Sequence, residues 1–593
     1  MQAIPYIPEN APFSPEQRSW LNGLLAGLFS GTMPAPALAE PKPASTSLKV
    51  AVLHASQSGT GEGLARKVVK ELKARGHLTT LASLESYTPH ALASEQHAVL
   101  IASTYGEGDP PDAAKPFFQQ LCLADAPRLE SLSYTVLALG DKHYEHFCKF
   151  GSDLDERLQS LGARRIAPRV ECDVDVDEPF ARWKTDLLQR LEQKSHATEP
   201  EPAAVAVPRK QESVRPATTA YNRENPFHAP LVDRQALTHD VSSKLTLHLA
   251  FCLCDADMPY EAGDAMGVIA RNDHRLVDEI LAAAHLSGSE SVALPRLGDT
   301  TSREALMNHL QFTRINRKLV EAFATRTDSP MLRGLLIPEQ QSHLEHFCHD
   351  RGLIDLLHDY PGVITSAEEL VKILPRLSPR LYSISSSPAA HGSQVHTTVS
   401  VVRYRSHNRD RGGVCSTLLA ERLNPREKLP IYIQPNKRFR LPHQADVPII
   451  MIGPGTGIAP FRAFLHERRV LGSTGRNWLF FGERSVATDF LYRDELLKMQ
   501  ADGHLTRLDL AFSRDQERTI YVQDRMLEQA SELWRWLQDG ASVYVCGDAS
   551  RMAKDVDATL HTIVERQGNL PSDVASEYVQ QLKDQHRYHR DVY

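Results

Sequence analysis

The chain runs to 593 residues, longer than one hydrophobic core usually organises, so about three domains are expected. Hydrophobic residues at 41% and charged residues at 24% exclude wholesale disorder and a membrane bundle, and a formal net charge of -7 leaves no basic footprint for nucleic acid. The acidic balance suits a basic protein partner instead.

The eight cysteines include no CxxC and are sparse for this length, as reduced cytosolic thiols would be. Cys252 and Cys254 form a CxC, but two thiols cannot close a metal site, so they read as ordinary strand residues and no metal is expected. The best apolar stretch, Trp20 to Phe29, is interrupted by Asn22, Gly23 and Gly27. It falls short of the roughly 18–20 residues of a spanning helix and lacks a secretory cleavage pattern. A soluble, cytoplasmic protein bound to neither membrane nor nucleic acid is the expectation.

Residues 1–47 open with Ser14, Pro15 and Gln17, a cap, first-turn proline and capping-box partner. Trp20, Leu21, Leu24, Leu25, Leu28 and Phe29 follow at helical spacing, and Pro34, Pro36, Pro41 and Pro43 then make an extended tether. The apolar stripe needs another surface: a partner helix, a second copy of the chain in a homo-oligomer, or the neighbouring domain. Over 48–194, short apolar runs (Val50 to Leu53, Val99 to Ala102, Tyr134 to Leu139) alternate with helix-like segments, the pattern of a parallel sheet. Residues 195–219 are rich in Pro, Ala, Glu and Ser without apolar periodicity and read as a flexible linker. Residues 220–443 carry strand-like runs at Leu245 to Cys252, His396 to Tyr404 and Leu429 to Gln434 around a helical stretch over about 274–375, which suggests an antiparallel barrel with a helical insertion. Residues 444–593 resume the alternation, with runs at Ile449 to Ile452, Trp478 to Phe481, Thr506 to Phe512 and Val543 to Cys546, so a second parallel sheet closes the chain.

Ser56-Gln57-Ser58-Gly59-Thr60-Gly61 follows the first strand and opens a helix, so backbone N–H groups and hydroxyls converge where the helix N-terminus favours an anion. The lysine of a nucleoside-triphosphate loop is missing, which disfavours ATP. Two more loops stand at strand ends of the same sheet, Ser103-Thr104-Tyr105-Gly106-Glu107-Gly108 and Leu139-Gly140-Asp141 running on to Tyr144, Phe147 and Cys148. Ligands of open parallel sheets lie at the carboxyl ends of strands, and a flat ring can stack between Tyr105 and Tyr144 while glycines admit its edge.

These three loops resemble the flavodoxin-like FMN domain of diflavin reductases, and the resemblance extends over nearly everything after residue 48. It implies an α/β multidomain protein: a flavodoxin-like FMN domain, a ferredoxin-reductase-like antiparallel β-barrel FAD domain with a helical insertion, and a parallel α/β NADP-binding domain. FMN would be held by Ser56 to Gly61, by Ser103, Thr104, Tyr105 and Gly106, and by Leu139, Gly140, Asp141, Tyr144, Phe147 and Cys148. Arg380-Leu381-Tyr382-Ser383 looks like the family's FAD motif, in which Arg380 can pair with the pyrophosphate, Tyr382 can stack on the flavin and Ser383 can reach its reactive edge. Thr398, Val399, Ser400, Tyr404, the cradle Gly413-Val414-Cys415-Ser416 and, from the insertion, Thr313 complete the FAD wall by the same resemblance.

Gly453-Pro454-Gly455-Thr456-Gly457-Ile458-Ala459-Pro460-Phe461 follows a strand and opens a helix in the form typical of ferredoxin-reductase-like nicotinamide domains. Thr456, Ser513, Arg514, Thr519, Tyr521, Gln523 and Asp555 resemble the family's NADP contacts, and a cation with hydroxyls beside the 2′-phosphate selects NADPH over NADH. Relatives commonly carry lysine where Thr519 stands, with Arg518 beside it here. Cys546, Ser383 and Asp591 would surround the site of hydride transfer, with the terminal Tyr593 over the flavin until nicotinamide displaces it.

The resemblance therefore implies electron flow from NADPH through FAD and FMN to a separate acceptor, with the cofactors owning the organic chemistry. Asp153, Asp155, Glu156, Asp173, Asp175, Asp177 and Glu178 read either as an acidic docking face or as ordinary solvated surface. Within the diflavin group the short leading helix, the tether and the ending Arg590-Asp591-Val592-Tyr593 are most similar to flavoprotein subunits of bacterial assimilatory sulfite reductases. That similarity implies a sirohaem and iron–sulfur haemoprotein partner. A soluble reductase serving a cytochrome or flavodoxin is the alternative.

Overall fold

The computed structural model describes residues 47–593 apart from 57–59, 105–107, 109, 112–113, 124, 141–146, 174–175, 196–220 and 295–296. The N-terminal helix and tether, the linker beyond Ser195, and Gln57, Ser58, Gly59, Tyr105, Gly106, Asp141 and Tyr144 lie outside the described residues.

The first unit is a parallel sheet of β1 (Lys49–Ala55), β2 (Leu78–Ser83), β3 (His97–Ser103), β4 (Ser133–Leu139), β5 (Arg164–Arg165) and β6 (Val170–Cys172), ordered β2-β1-β3-β4-β5 with β6 also on β4. Val50, Val52, Leu53, Val99 and Leu100 are all fully buried, because helices cover both faces and a central parallel strand then reads as a continuous apolar run. The helix Thr60–Ala74 buries Leu64, Ala65, Val68 and Leu72, one stripe at helical spacing. On the same face Trp183 is buried beside that stripe and donates its indole N–H to Thr135 Oγ1 at 3.1 Å. Asp155 is buried too, bound by Arg165 at 2.7 Å, Arg169 at 2.9 Å and the Tyr134 hydroxyl at 2.8 Å. It is a structural carboxylate and takes no part in an acidic docking face.

The middle unit contains β7 (Phe227–Ala236), β8 (Thr246–Cys252), β9 (Ala265–Val268), β10 (Ser291–Leu294), β11 (Gly298–Thr301), β12 (Arg380–Ser383), β13 (Gln394–Ser400), β14 (Arg403–Ser406), β15 (Arg409–Gly412) and β16 (Lys428–Gln434). Six of them form an antiparallel sheet ordered β12-β9-β16-β7-β8-β13. Its ends meet through the bridge Ile384 to Thr397 and the bond from Ser385 N–H to His396 O at 2.8 Å, which closes it directly after Ser383. The run His396 to Tyr404 is two strands. Val402 accepts from Gly413 N–H at 3.0 Å and donates to Ser416 Oγ at 3.1 Å, which turns the chain out of the barrel into the β14–β15 hairpin.

The stretch 274–375 is largely helical, with one strand pair that the sequence does not announce. β10 alternates exposed and buried residues, and Val292 and Leu294 enter the core made by the insertion helices. Cys252 and Cys254 are joined by a disulfide rather than being reduced strand thiols.

The last unit is a parallel sheet of β17 (Ile449–Ile452), β18 (Asn477–Glu483), β19 (Arg507–Phe512), β20 (Ser542–Gly547) and β21 (Tyr588–Val592), ordered β19-β18-β17-β20-β21. The register of β21 on β20 pairs Asp591 with Cys546 and Val592 with Gly547. Arg438, following β16, reaches Glu85 of the first unit at 2.9 Å. No helix among the described residues is long and apolar enough to cross a membrane.

Candidate functional site

The closure of the barrel brings Ser383 to the carboxyl end of the last sheet. Ser383 Oγ donates to Asp591 Oδ2 at 2.9 Å, Cys546 Sγ lies 3.9 Å from the same oxygen, and Asn436 Nδ2 donates to Asp591 Oδ1 at 3.3 Å. Three of these groups are those singled out in the sequence. Asn436 is not; it follows the Gln434-Pro435 end of β16 and belongs to no motif. Desolvation raises the Asp591 carboxyl above its ordinary range, against the lowering effect of the Ser383 and Cys546 hydrogen bonds. Burial first, and the Asp591 charge second, push the Cys546 thiol well up, so it stays protonated at neutral pH.

Tyr593 caps this cleft. Its hydroxyl is 2.9 Å from Thr456 Oγ1, and its backbone N–H donates to Gly547 O at 3.0 Å. The glycine turn fits tightly beneath: a Cβ on Gly457 would stand 2.1 Å from Cys546 O, so only glycine allows the turn to rest there. Leu381 is 49% exposed and Tyr593 56% exposed, large apolar or flat groups left open at the surface.

Around the barrel rim, Arg380 is exposed, with Nη1 on Ser378 O at 3.2 Å. Tyr382 touches Cys415, whose thiol is pushed up to about 11 chiefly by burial. Thr398 and Val399 are buried, Ser400 half-buried, and Tyr404 pairs across the hairpin with Arg411. Val414 opens a short helical turn above Gly413, where a Cβ would stand 2.6 Å from Ser416 Oγ. Thr313 is in the insertion, accepting from Gln311 Nε2 at 2.9 Å.

The end of the last sheet at β18 and β19 is also assembled from two units. Ser513 N–H donates to Glu483 O and Arg514 N–H to Arg484 O, each at 2.8 Å, leaving the Arg514 side chain exposed. Lys244, from the β7–β8 connection, pairs with Glu483. Burial, then the Arg484 and Arg514 charges among other influences, hold its ammonium down to about 8. Lys244 and Arg484 thus join Arg514 in a cationic corner whose members lie far apart in sequence. Thr519 and Tyr521 are exposed in the following loop, where Tyr521 N–H donates to Asp524 at 2.8 Å. Gln523 Nε2 donates to Asp555 at 3.3 Å.

At the first sheet, Ser56 Oγ accepts from Gly61 N–H at 3.1 Å, and Ser103 Oγ would be 3.4 Å from a Cβ on Gly61. Thr104 N–H donates to Leu139 O at 2.7 Å and Gly140 N–H to Cys172 O at 2.9 Å, so three strand ends meet at one edge. Thr104 Oγ1 is buried without a partner among the described residues, and Thr60 opens the fifteen-residue helix beside it. Hydroxyls with a helix N-terminus fit a flavin phosphate. Phe147 is half-buried, whereas Cys148 turns its thiol inward, 3.4 Å from Ala138 O and 3.6 Å from Cys172 O.

A flavodoxin-type sheet, an antiparallel flavin barrel and a nicotinamide sheet in one chain define an NADPH-dependent diflavin reductase, with FMN, FAD and NADPH as its cofactors. The chain matches the family models Flavodoxin over residues 52–183, FAD binding domain over 219–418 and Oxidoreductase NAD-binding domain over 451–558. It is 42% identical to the sulfite reductase (NADPH) flavoprotein alpha-component of Bacillus subtilis, covering 97% of this chain and 95% of that one. It is 39% identical to the protein of the same description from Mannheimia succiniciproducens, covering 98% and 97%. The Yersinia enterocolitica relative is 40% identical over 98% of this chain and 96% of its own. The chain belongs to the family of sulfite reductase (NADPH) flavoprotein alpha-components.

Proposed function

We propose that the cleft between barrel and nicotinamide sheet is where NADPH meets FAD, and that the electrons leave through FMN to a sirohaem and iron–sulfur haemoprotein that reduces sulfite to sulfide. The observation that carries it is the meeting of Ser383, Cys546 and Asp591 from two units under Tyr593. When bound, FAD accepts the hydride of NADPH and FMN passes electrons on singly. Ser383 and Asp591 orient the reacting edge, and Cys546, kept as a thiol, adds no charge beside it. Tyr593 gives up its Thr456 contact when nicotinamide enters, excluding water until then.

Arg380 and the 413–416 cradle hold the FAD pyrophosphate, Tyr382 and Tyr404 its rings, with Thr398, Val399, Ser400 and Thr313 along its length. Arg514, Ser513, Thr519, Tyr521 and Gln523 take the adenosine 2′-phosphate end, and Asp555 belongs to the nicotinamide side. The sheet loops at Ser56, Thr104 and Gly140 hold FMN. Residues 48–194, 220–443 and 444–593 act as three domains of a cytoplasmic protein, with 195–219 linking the FMN domain and the N-terminal helix serving assembly.

The test is anaerobic. Purified protein reduced by NADPH is mixed with the haemoprotein and sulfite, and flavin reoxidation is followed with sulfide release. Reoxidation coupled to sulfide is expected; reduced flavin that the haemoprotein and sulfite leave unoxidised would contradict the acceptor.

A further inference from the structure

Tyr492 connects two parts of the molecule that no motif links. It stands between the short helix Val486–Asp489 and the helix Arg493–Ala501, both in the crossover from β18 to β19. Its hydroxyl nevertheless reaches the barrel, 2.7 Å from Thr398 Oγ1 on β13 and 3.0 Å from His248 Nδ1 on β8. Thr398 and His248 are register partners, so one phenol oxygen spans both strands. The Arg462 guanidinium lies 4.9 Å from the centre of the Tyr492 ring. It donates Nη1 to Ser385 O at 2.8 Å and Nη2 to Glu495 at 2.9 Å. Tyr492 itself is held at φ 54° and ψ 30°, a left-handed conformation that a bulky L residue adopts only where its surroundings impose it.

The two barrel segments gripped in this way flank Ser383. Ser385 lies two residues beyond it and closes the barrel, while Thr397, the neighbour of Thr398, donates Oγ1 to the Ser383 carbonyl at 3.3 Å. Ser383 then meets Asp591 at 2.9 Å. We propose that Tyr492, braced by Arg462, is a positioning residue for hydride transfer: it fixes β13 and the Ser383 turn against the nicotinamide sheet, and with them the separation of the two reacting rings. The proposal rests on hydride transfer taking place at Ser383 and Asp591. A residue that sets distance, unlike one that binds, alters the transfer step and its isotope sensitivity while affinity is kept.

The test is Tyr492→Phe in the full-length protein, which keeps the ring and its Arg462 contact and removes one oxygen. FAD content and KM for NADPH should stay within about twofold. FAD reduction in stopped flow should slow by about tenfold or more, with a larger kinetic isotope effect from NADPH deuterated at the transferred position. In flavin-stripped protein, amide exchange over 384–387 and 396–400 should quicken about tenfold while β1 to β4 stay unchanged. Wild-type rate, isotope effect and exchange would overturn the proposal. So would loss of FAD with unaltered exchange, which would make Tyr492 a flavin-binding residue. A Ser383→Ala control that reduces FAD at the wild-type rate would instead overturn the placement of the site.

Discussion

Replacing Asp591 by asparagine separates catalysis from stability, because the two respond in opposite directions. Ser383 donates to this carboxylate at 2.9 Å, and a hydrogen bond to a charged acceptor contributes about 1.5–3 kcal/mol. Asparagine still accepts through its amide oxygen, so the variant forfeits the difference from a neutral bond, about 1–1.5 kcal/mol, and Asp591→Asn should slow FAD reduction by about 5- to 13-fold. Stability should move the other way. Desolvation raises the Asp591 carboxyl, so the folded chain holds this proton more tightly than the unfolded chain does. Folded-state stability from this group is therefore complete at pH below the ordinary aspartate value and is lost as pH rises through the raised one. A neutral amide escapes that loss. The variant should match wild type in acid and exceed it at neutral pH. Stopped-flow reduction by NADPH gives the rate, and denaturant midpoints across pH give the stability. A variant that loses stability at neutral pH, or that reduces FAD at the wild-type rate, would refute the assignment of Asp591 as a desolvated carboxylate of the active cleft.

Arg514→Ala should raise KM for NADPH about tenfold or more while leaving NADH nearly unchanged, because the proposed function gives its exposed guanidinium to the 2′-phosphate alone; equal weakening of both coenzymes would make it structural. Tyr105→Ala combined with Tyr144→Ala should lower FMN occupancy and retain FAD, measured by flavin release and chromatography, and equal loss of both, or of neither, would contradict two separate sites. Burial holds His248 down to about 4 and His396 to about 2, so both are neutral when folded and protonatable when unfolded. Their stability is complete above about pH 6.5 and is lost as pH falls toward 4, on the order of 3 kcal/mol for His248, and His248→Gln should flatten that acid loss in denaturant midpoints. Deleting residues 1–45 should lower the mass measured by light scattering and leave NADPH-driven reduction of a small artificial acceptor intact; unchanged mass would remove the assembly role.

The two parallel sheets were legible because their central strands are buried on both faces and so read as unbroken apolar runs, as Ile449 to Ile452 and Val99 to Ala102 do. Glycine turns after such strands were legible from their motif, and the structure supplies the physical reason: Gly457 rests against Cys546 O. β21 was not legible as a strand. Tyr-His-Arg-Asp-Val has no apolar run, and the segment is a strand because the edge of β20 offers hydrogen-bonding partners, which also brings Asp591 to Cys546. Lys244, Asn436 and Tyr492 were missed because each acts across a boundary between units, where contact depends on docking and not on local pattern. Asp155 shows the converse, a carboxylate in an acidic run that the fold buries against two arginines.

The order of electron flow is tested most directly by removing one flavin. Protein depleted of FMN and loaded with FAD is mixed anaerobically with NADPH, and then with the haemoprotein and sulfite. FAD should be reduced at the rate of the complete protein, no sulfide should form, and restoring FMN should restore sulfide production. Sulfide formed at the full rate without FMN, or FAD left oxidised until FMN returns, would contradict a path from NADPH through FAD to FMN.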